Sequence, residues 1–290
     1  MESKPILVTG SSGYIGSHLC KMLTNQGYQV IGLDVVRPKH KTNYSTYIID
    51  INNPADVGYL SYDIHDEYSA VVHLAALTKV GESTQRPTDY YTTNVVGTHN
   101  LLRQLWTDHF IFASTGQASL MGNPYAISKR VAEEMVVDTR RRAGRDFTAF
   151  RFYNVIGTDG FPPTNPDGLF YNLIRAAEET GVFTVFGENY NTKDGTCVRD
   201  YVHVNEICEA ICRAIEKPAN AVENLGSGTG HTVNEIIDIF KRVNGVNFDV
   251  KYGGPRQGDI PVSVLDNPSS YFQRKYSIED LLWYDPLPLS

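Results

Sequence analysis

Apolar and polar positions alternate in blocks along the first half of the chain, and the blocks read in turn as strands and helices. Residues 5–9, Pro-Ile-Leu-Val-Thr, form a short apolar run closed by glycine, the pattern of a strand buried on both faces. Ile15, Leu19, Met22 and Leu23 then recur at helical spacing, and Val30-Ile31-Gly32-Leu33 is a second apolar run that ends in Asp34. Residues 47–51 and 70–76 read as a third and a fourth strand, residues 87–106 as a long helix, and residues 110–112 as a fifth strand. Asn123-Pro124 is a turn signal, and a helix opens at Tyr125. Residues 147–152 make a sixth strand. Strands alternating with helices in this way predict an α/β fold built on a parallel, doubly wound sheet.

After Asn154 the texture changes. Residues 157–168 carry Pro162, Pro163 and Pro166 and read as a surface loop. Shorter elements follow: a helix over 170–179, a strand over 184–186, an Asn/Asp/Gly-rich turn over 188–195, a strand over 198–204 and a helix over 207–215. Val233, Ile236, Ile237, Phe240 and Val243 mark one more amphipathic helix. The expected organisation is a first domain over 1–153 and a smaller α/β lobe over 154–290, with segments such as 196–215 packing back on the first. Ligands of such folds bind at the C-terminal edge of the sheet, which the smaller lobe is expected to cover. Internal repeats and low-complexity tracts are absent.

Composition narrows the function classes. With 41% hydrophobic and 20% charged residues, the 290-residue chain has the make-up of a globular protein. A net charge of -7 and the lack of a dense Lys/Arg run argue against a nucleic-acid surface; Arg140-Arg141-Arg142 reads as the dipole-complementing end of a helix. No apolar run approaches membrane-spanning length, and the chain enters its first strand without a signal peptide. Cys20, Cys197, Cys208 and Cys212 lack metal-ligand spacing, so no metal is expected and the compartment reads as reducing and cytoplasmic.

Two stretches carry chemistry. Gly10-Ser-Ser-Gly13-Tyr-Ile-Gly16 sits between the first strand and the first helix, and Asp34 follows 18 residues beyond Gly16. Glycines allow the tight turn and the close approach of backbone to a pyrophosphate, whose charge a helix N-terminus favours. An acid at that distance suits the diol of an adenosine ribose and repels a 2′-phosphate, so NAD is expected rather than NADP, with Arg37 pointing mildly the other way. Asp50 is placed to face the adenine, and Leu74, Ala75 and Ala76 end the fourth strand with small residues where a cofactor can lie close. His73 reads as a packed, hydrogen-bonded strand-end histidine. The second stretch is Tyr125-Ala-Ile-Ser-Lys129. Residues four apart share a helix face, and a lysine cation near a phenol is expected to draw its pKa down from ~10 toward the working range of a general base. Ser114 and Thr115, at the end of the strand before it, are hydroxyls placed to bond a substrate hydroxyl.

Taken with Val80-Gly-Glu-Ser83, Arg151-Phe-Tyr-Asn154 and Asp194-Gly-Thr-Cys-Val-Arg-Asp-Tyr-Val-His-Val204, these motifs resemble those of the extended short-chain dehydrogenase/reductases, and within them the UDP-glucose (UDP-galactose) 4-epimerases. The resemblance runs from Val8 to the segment around Asp259. It implies a Rossmann-type first domain and a smaller lobe that binds a nucleotide sugar. It implies that Tyr125 is the catalytic tyrosine, that Lys129 tunes it and holds the nicotinamide ribose, and that Thr115 bonds the sugar 4′-hydroxyl. By the same resemblance Tyr14, Ile15, Ile51, Asn94, Ser114 and Phe152 join the glycine loop, Asp34, Asp50 and residues 74–76 around NAD. Val80, Asn154, Asn172, Phe186, Arg199, Arg256, Asp259 and Ser263 would line the UDP-sugar; for the two arginines, a guanidinium fork suits phosphate oxygens. A homodimer, pairing through the helices near Asn94 and Tyr125, is a further expectation of the resemblance.

The chain departs from that family in places. The span from Thr115 to Tyr125 is short, Thr78 stands where relatives often carry a lysine, and Lys79 comes one position late. Ser263 replaces the bulky tyrosine of galactose/glucose-restricted members, as in relatives that also accept N-acetylhexosamines. The alternatives are a nucleotide-sugar 4,6-dehydratase, a decarboxylase and a non-catalytic NAD-binding regulator. Gly116 and Gln117 after Thr115 lack the acid/base pair of the dehydratase, and the glutamate of decarboxylases is missing nearby.

Overall fold

The structure, a computed structural model, describes residues 4–256 and 259–284. They divide into two compact units: residues up to Arg151 with Cys208–Glu223, and Phe152–Ile207 with the chain from Asn224 on. The division therefore falls two residues ahead of the expected 153/154 boundary. The later segment counted with the first unit is 208–223, not 196–215; residues 196–207 belong to the second.

Six strands of the first half, β1 (Ile6–Thr9), β2 (Val30–Asp34), β3 (Ser45–Ile48), β4 (Tyr68–His73), β5 (Thr107–Thr115) and β6 (Asp146–Phe152), build the main sheet. The later strands are β7 (Asn154–Ile156), β8 (Val182–Phe186), β9 (Val198–His203), β10 (Val222–Leu225), β11 (Gly230–Thr232), β12 (Asp249–Gly253) and β13 (Val262–Ser263). The seven-stranded sheet runs β10-β6-β5-β4-β1-β2-β3, and β1 pairs in parallel with both β2 and β4. β1 and β4 are buried almost throughout, which is why they read as unbroken apolar runs rather than alternating ones. The strand order reverses at β1, and this reversal sets the glycine loop beside the exit of β4.

Helices connect the strands: α1 (Tyr14–Asn25), α2 (Pro54–Tyr59), α3 (Val80–Gln85), α4 (Pro87–Tyr91), α5 (Gly97–Gln104) and α6 (Pro124–Arg142). The helix expected over 87–106 runs without interruption from Pro87 to Gln104, α4 passing into α5 through a wider π-type turn at Thr92–Val96. The third strand ends at Ile48, not at residue 51. Asp50 starts a turn in which its carboxylate accepts the Asn52 N–H at 2.9 Å, and Asn53 then caps α2 ahead of Pro54. The fourth strand likewise stops at His73, so Leu74, Ala75 and Ala76 lie in the loop beyond it. The fifth strand is longer than its apolar centre, running from Thr107 to Thr115.

In the second unit β9 is central. Its first half lies between β11, antiparallel, and β13, parallel, and its second half pairs with β7. β8 and β12 form a separate parallel pair. The helices α7 (Leu169–Arg175), α9 (Val233–Asn244) and α10 (Ile278–Leu282) belong to this unit, while α8 (Val204–Glu216) is divided between the two. Phe170, Phe183, Tyr201, Phe240 and Tyr284 belong to the core of this unit, while Leu7, Leu33, Tyr68, Phe110 and Phe147 belong to that of the first.

Candidate active site

The start of α6 places the tyrosine. Pro124 occupies the first turn, and the Asn123 side chain accepts the Ala126 N–H at 2.9 Å, which sets the helix boundary one residue before Tyr125. Lys129 follows one turn later and is 3% exposed, and Thr115, at the end of β5, is 8% exposed. The Thr115 hydroxyl, which accepts the Gln117 N–H, stands close enough to the Tyr125 phenol to favour its ionised form. The edge of Tyr90 packs against the same ring, with centroids 6.5 Å apart.

The electrostatics differ from the sequence expectation. Burial holds the Tyr125 phenol above its ordinary value, and the Thr115 hydroxyl works against that rise. Lys129, whose ammonium sits 4.3 Å from the centre of the Phe112 ring, is itself pushed down to about 7 by burial, with Glu133 opposing. A lysine whose charged form burial disfavours draws a neighbouring phenol down less than a solvated lysine would. Desolvation is the larger influence on both groups.

The glycine loop forms a cradle with no room for side chains. Gly10 has φ +71°, and a Cβ on Gly16 would meet the Gly10 carbonyl oxygen at 2.0 Å. No side chain caps α1, and its first turn holds no acid. The buried Ser11 hydroxyl has no partner among the described residues. Asp34 accepts the Ser12 N–H at 2.9 Å and the Val36 N–H at 3.2 Å, so it stiffens the loop from the end of β2. A closely approached backbone, an uncapped helix start and an acid at the next strand end fit a dinucleotide, with Tyr14 and Ile15 opening α1.

Other residues of the first unit are placed differently from expectation. Ile51 is 3% exposed and belongs to the core, so its side chain does not face a ligand. Asp50 is exposed and shapes its own turn. The Ser114 hydroxyl is donated to Glu133 at 2.7 Å instead of toward a substrate. Asn94 is fully engaged in bracing: it accepts the Leu77 N–H at 2.9 Å and donates to the Leu77 carbonyl at 3.0 Å and to Ser128 at 2.9 Å. Its effect on the loop after β4 is to hold Leu74, Ala75, Ala76 and the approach to Val80 in place. His73 bonds Thr9 at 2.7 Å and Thr98 at 2.9 Å and is held down to about 3 by burial and by Lys129.

The second unit gathers the remaining residues. Arg256 stacks on Phe186, 4.0 Å from guanidinium to ring centre, and Arg199 lies 4.0 Å from Asp259, whose carboxyl burial pushes up against the pull of both arginines. Ser263 pairs in register with Arg199 across β13 and β9. Asn154 donates to the Asp200 carbonyl at 3.0 Å, and Asn172 donates to the Pro166 and Gly168 carbonyls at 2.7 and 2.8 Å. These two amide groups brace backbone. Phe152 opens the unit as a buried residue at the end of β6.

Sequence reasoning missed Asp200 and Glu133. Asp200 is fully buried and accepts the N–H groups of Ser227 (2.8 Å), Gly228 (2.9 Å) and Leu265 (3.2 Å) beside Arg199. An acid in the middle of the mixed strand β9, beside Tyr201 and Val202, was the signal available for it. Glu133 carries a signal of its own, standing eight residues after Tyr125 on the face of α6 that Lys129 shares.

Comparison with known proteins agrees with this geometry. Residues 6–228 match the model of the NAD dependent epimerase/dehydratase family. The UDP-glucose 4-epimerase of Rhizobium meliloti is 32% identical, over 92% of this chain and 90% of its own. That of Caenorhabditis elegans is 30% identical over 91% and 90%. The crystal structure of UDP-glucose 4-epimerase from Bifidobacterium longum, in complex with NAD+ and UDP, superposes with a TM-score of 0.87 at 25% identity, covering 96% of each chain. A glycine cradle, a paired tyrosine and lysine and a match over most of the length converge: this chain belongs to the NAD dependent epimerase/dehydratase family, among the UDP-glucose 4-epimerases.

Proposed function

We propose that the protein interconverts the 4-epimers of a UDP-hexose, UDP-galactose and UDP-glucose, through a transient 4-keto sugar. The observation that carries this reading is the placing of Tyr125 and a buried Lys129 one turn apart on α6, with the buried Thr115 hydroxyl at the end of β5. When bound, NAD supplies the reversible hydride acceptance that makes C4 planar. Tyr125, as the phenolate that the Lys129 charge favours, takes the proton of the 4′-hydroxyl as C4 is oxidised and returns it when C4 is reduced on the opposite face. Thr115 orients that hydroxyl. Lys129 holds the nicotinamide ribose and provides positive charge on the tyrosine's face of α6. Gly10, Gly13 and Gly16 admit the pyrophosphate, and Asp34 takes the adenosine ribose. In the second unit Arg199 and Arg256 offer guanidinium forks to the UDP diphosphate, with Phe186 and Asp259 holding them in place.

Incubating the protein with UDP-galactose and following UDP-glucose by NMR tests the reading. A 6-deoxy-4-keto product would assign a dehydratase instead, and a protein that holds NAD but turns nothing over would be a regulator. The small Ser263 leaves room for an N-acetyl group, so UDP-GlcNAc and UDP-GalNAc are included as substrates. Ser263→Tyr is expected to depress turnover of the acetylated pair selectively, and equal turnover of both pairs would refute this.

The protein is further proposed to pair as a homodimer through α4, α5 and α6. The exposed apolar side chains Tyr91, Val96 and Val131 on and between these helices support that face, and light scattering on the eluting protein measures it. No helix among the described residues is long and apolar enough to cross a membrane. The four cysteines are buried free thiols, which supports a reducing, cytoplasmic setting.

A further inference from the structure

Glu133 lies one helical turn beyond Lys129 and two beyond Tyr125, so the three side chains share one face of α6. Its side chain is 2% exposed. The Ser114 hydroxyl, at the end of β5, donates to its Oε2 at 2.7 Å. From β6, Arg151 donates Nε to Oε2 at 2.8 Å and Nη2 to Oε1 at 2.5 Å. The same guanidinium donates Nη1 to the Ser119 hydroxyl at 3.0 Å, within the short turn that joins Thr115 to α6. A buried ion pair is rarely worth more to stability than a well-packed apolar pair. Stability alone therefore gives no reason for a carboxylate at this point.

We propose that Glu133 is a positioning residue: a buried carboxylate that ties the strand end bearing Thr115 to the tyrosine–lysine face and supplies counter-charge to the Lys129 ammonium. This rests on reading Tyr125 and Lys129 as the proton-handling pair. Around Lys129 stand Glu133 on its own helix, His73 on β4 and the Phe112 ring on β5, with Tyr125 one turn before it on α6. Around Glu133 stand Arg151 and, at 3.8 Å, Arg130. His73 is neutral near pH 7, and the Glu133 carboxylate favours the Lys129 ammonium. Arg151 anchors the carboxylate while Ser114 and Ser119 join the strand end and the turn to the same point.

The test is NMR titration of the full chain with NAD bound and lysine 13C-labelled at Cε, the Lys129 signal being assigned by its loss in Lys129→Met. Glu133→Gln is expected to lower the Lys129 midpoint by about one pH unit or more. The fall of kcat/KM with rising pH should move by the same amount, and Glu133→Asp should restore part of both. An unchanged midpoint and profile, with activity following only the thermal midpoint, would overturn the proposal and leave Glu133 a structural anchor. Glu133→Gln strands the Arg151 guanidinium in a low-dielectric site and can fail to fold. The step from Arg151→Gln to Glu133→Gln/Arg151→Gln then isolates the carboxylate charge, and the same downward shift is expected. Full activity in Lys129→Met would sink the proton-handling assignment, whereas the NMR midpoint judges Glu133 independently of turnover.

Discussion

Tyr125 and Lys129 are four residues apart on α6, yet their environment decides their chemistry more than their spacing does. Burial favours the neutral form of each, so the phenol rises while the ammonium falls to about 7. Removing the phenol hydroxyl in Tyr125→Phe is expected to lower kcat by about a hundred- to ten-thousand-fold with little change in NAD retention. Steady-state conversion of UDP-galactose, alongside the absorbance of bound cofactor, measures both; a kcat equal to wild type would remove Tyr125 from the mechanism. Asp200 gives a contrasting case. Its carboxylate gathers three backbone N–H groups and the Ser227 hydroxyl, and hydrogen bonds to a charged acceptor are each worth about 1.5–3 kcal/mol. Asp200→Asn should cost about that much stability, read by urea unfolding, because one oxygen acceptor becomes a donor facing donors.

Elements carry their own predictions. α6 begins where it does because Asn123 caps it, and an Ncap Asn→Ala change costs about 1 kcal/mol. Tyr125 sits in that first turn, so Asn123→Ala should lower kcat more than it changes KM. Loss of stability with an unaltered kcat would show that the cap serves the fold alone. The turn from β1 into α1 is less forgiving. A Cβ at Gly16 would lie 2.0 Å from the Gly10 carbonyl oxygen, which is backbone and cannot rotate away. Gly16→Ala is therefore expected to yield protein that binds NAD poorly, measured by calorimetric titration. The main strands were readable as apolar runs because both of their faces are covered. β11 and β13, with three and two residues, were not, since so short a run has no measurable period. The wider π-type turn between α4 and α5 was equally hidden, since it leaves the helix continuous and spans only five residues.

Across the whole molecule, buried titratable groups set how stability follows pH. Burial lowers His73 to about 3 and His109 to about 4. The unfolded chain takes up those protons first, near pH ~6.5, so the stability present above that pH is lost as pH falls toward the folded values. Lys129, lowered to about 7 from 10.5, has the same sign: its penalty is full below about 7 and is relieved as pH rises toward 10.5. Cys20, pushed up to about 12 from 9.0, acts oppositely above pH 9 because the unfolded thiol ionises first. The thermal midpoint should therefore climb from pH 4 to about pH 9 and then turn over, with Lys129→Met flattening the portion above 7. A midpoint independent of pH over that range would contradict the burial of these groups.

What the chain alone determined is what local pattern encodes: the buried strands, the glycine turn, the helix opening after Asn123-Pro124 and the Tyr125–Lys129 spacing. Hydrophobic period, turn residues and caps are properties of neighbours in sequence. Which polar groups end up dry was settled only by tertiary structure. Ser114 turned toward Glu133, Ile51 joined the core, Asn94 came to brace Leu77, and Asp200 gathered loops far along the chain. Desolvation and hydrogen-bond satisfaction depend on what packs around a residue, and those neighbours arrive from distant strands and helices.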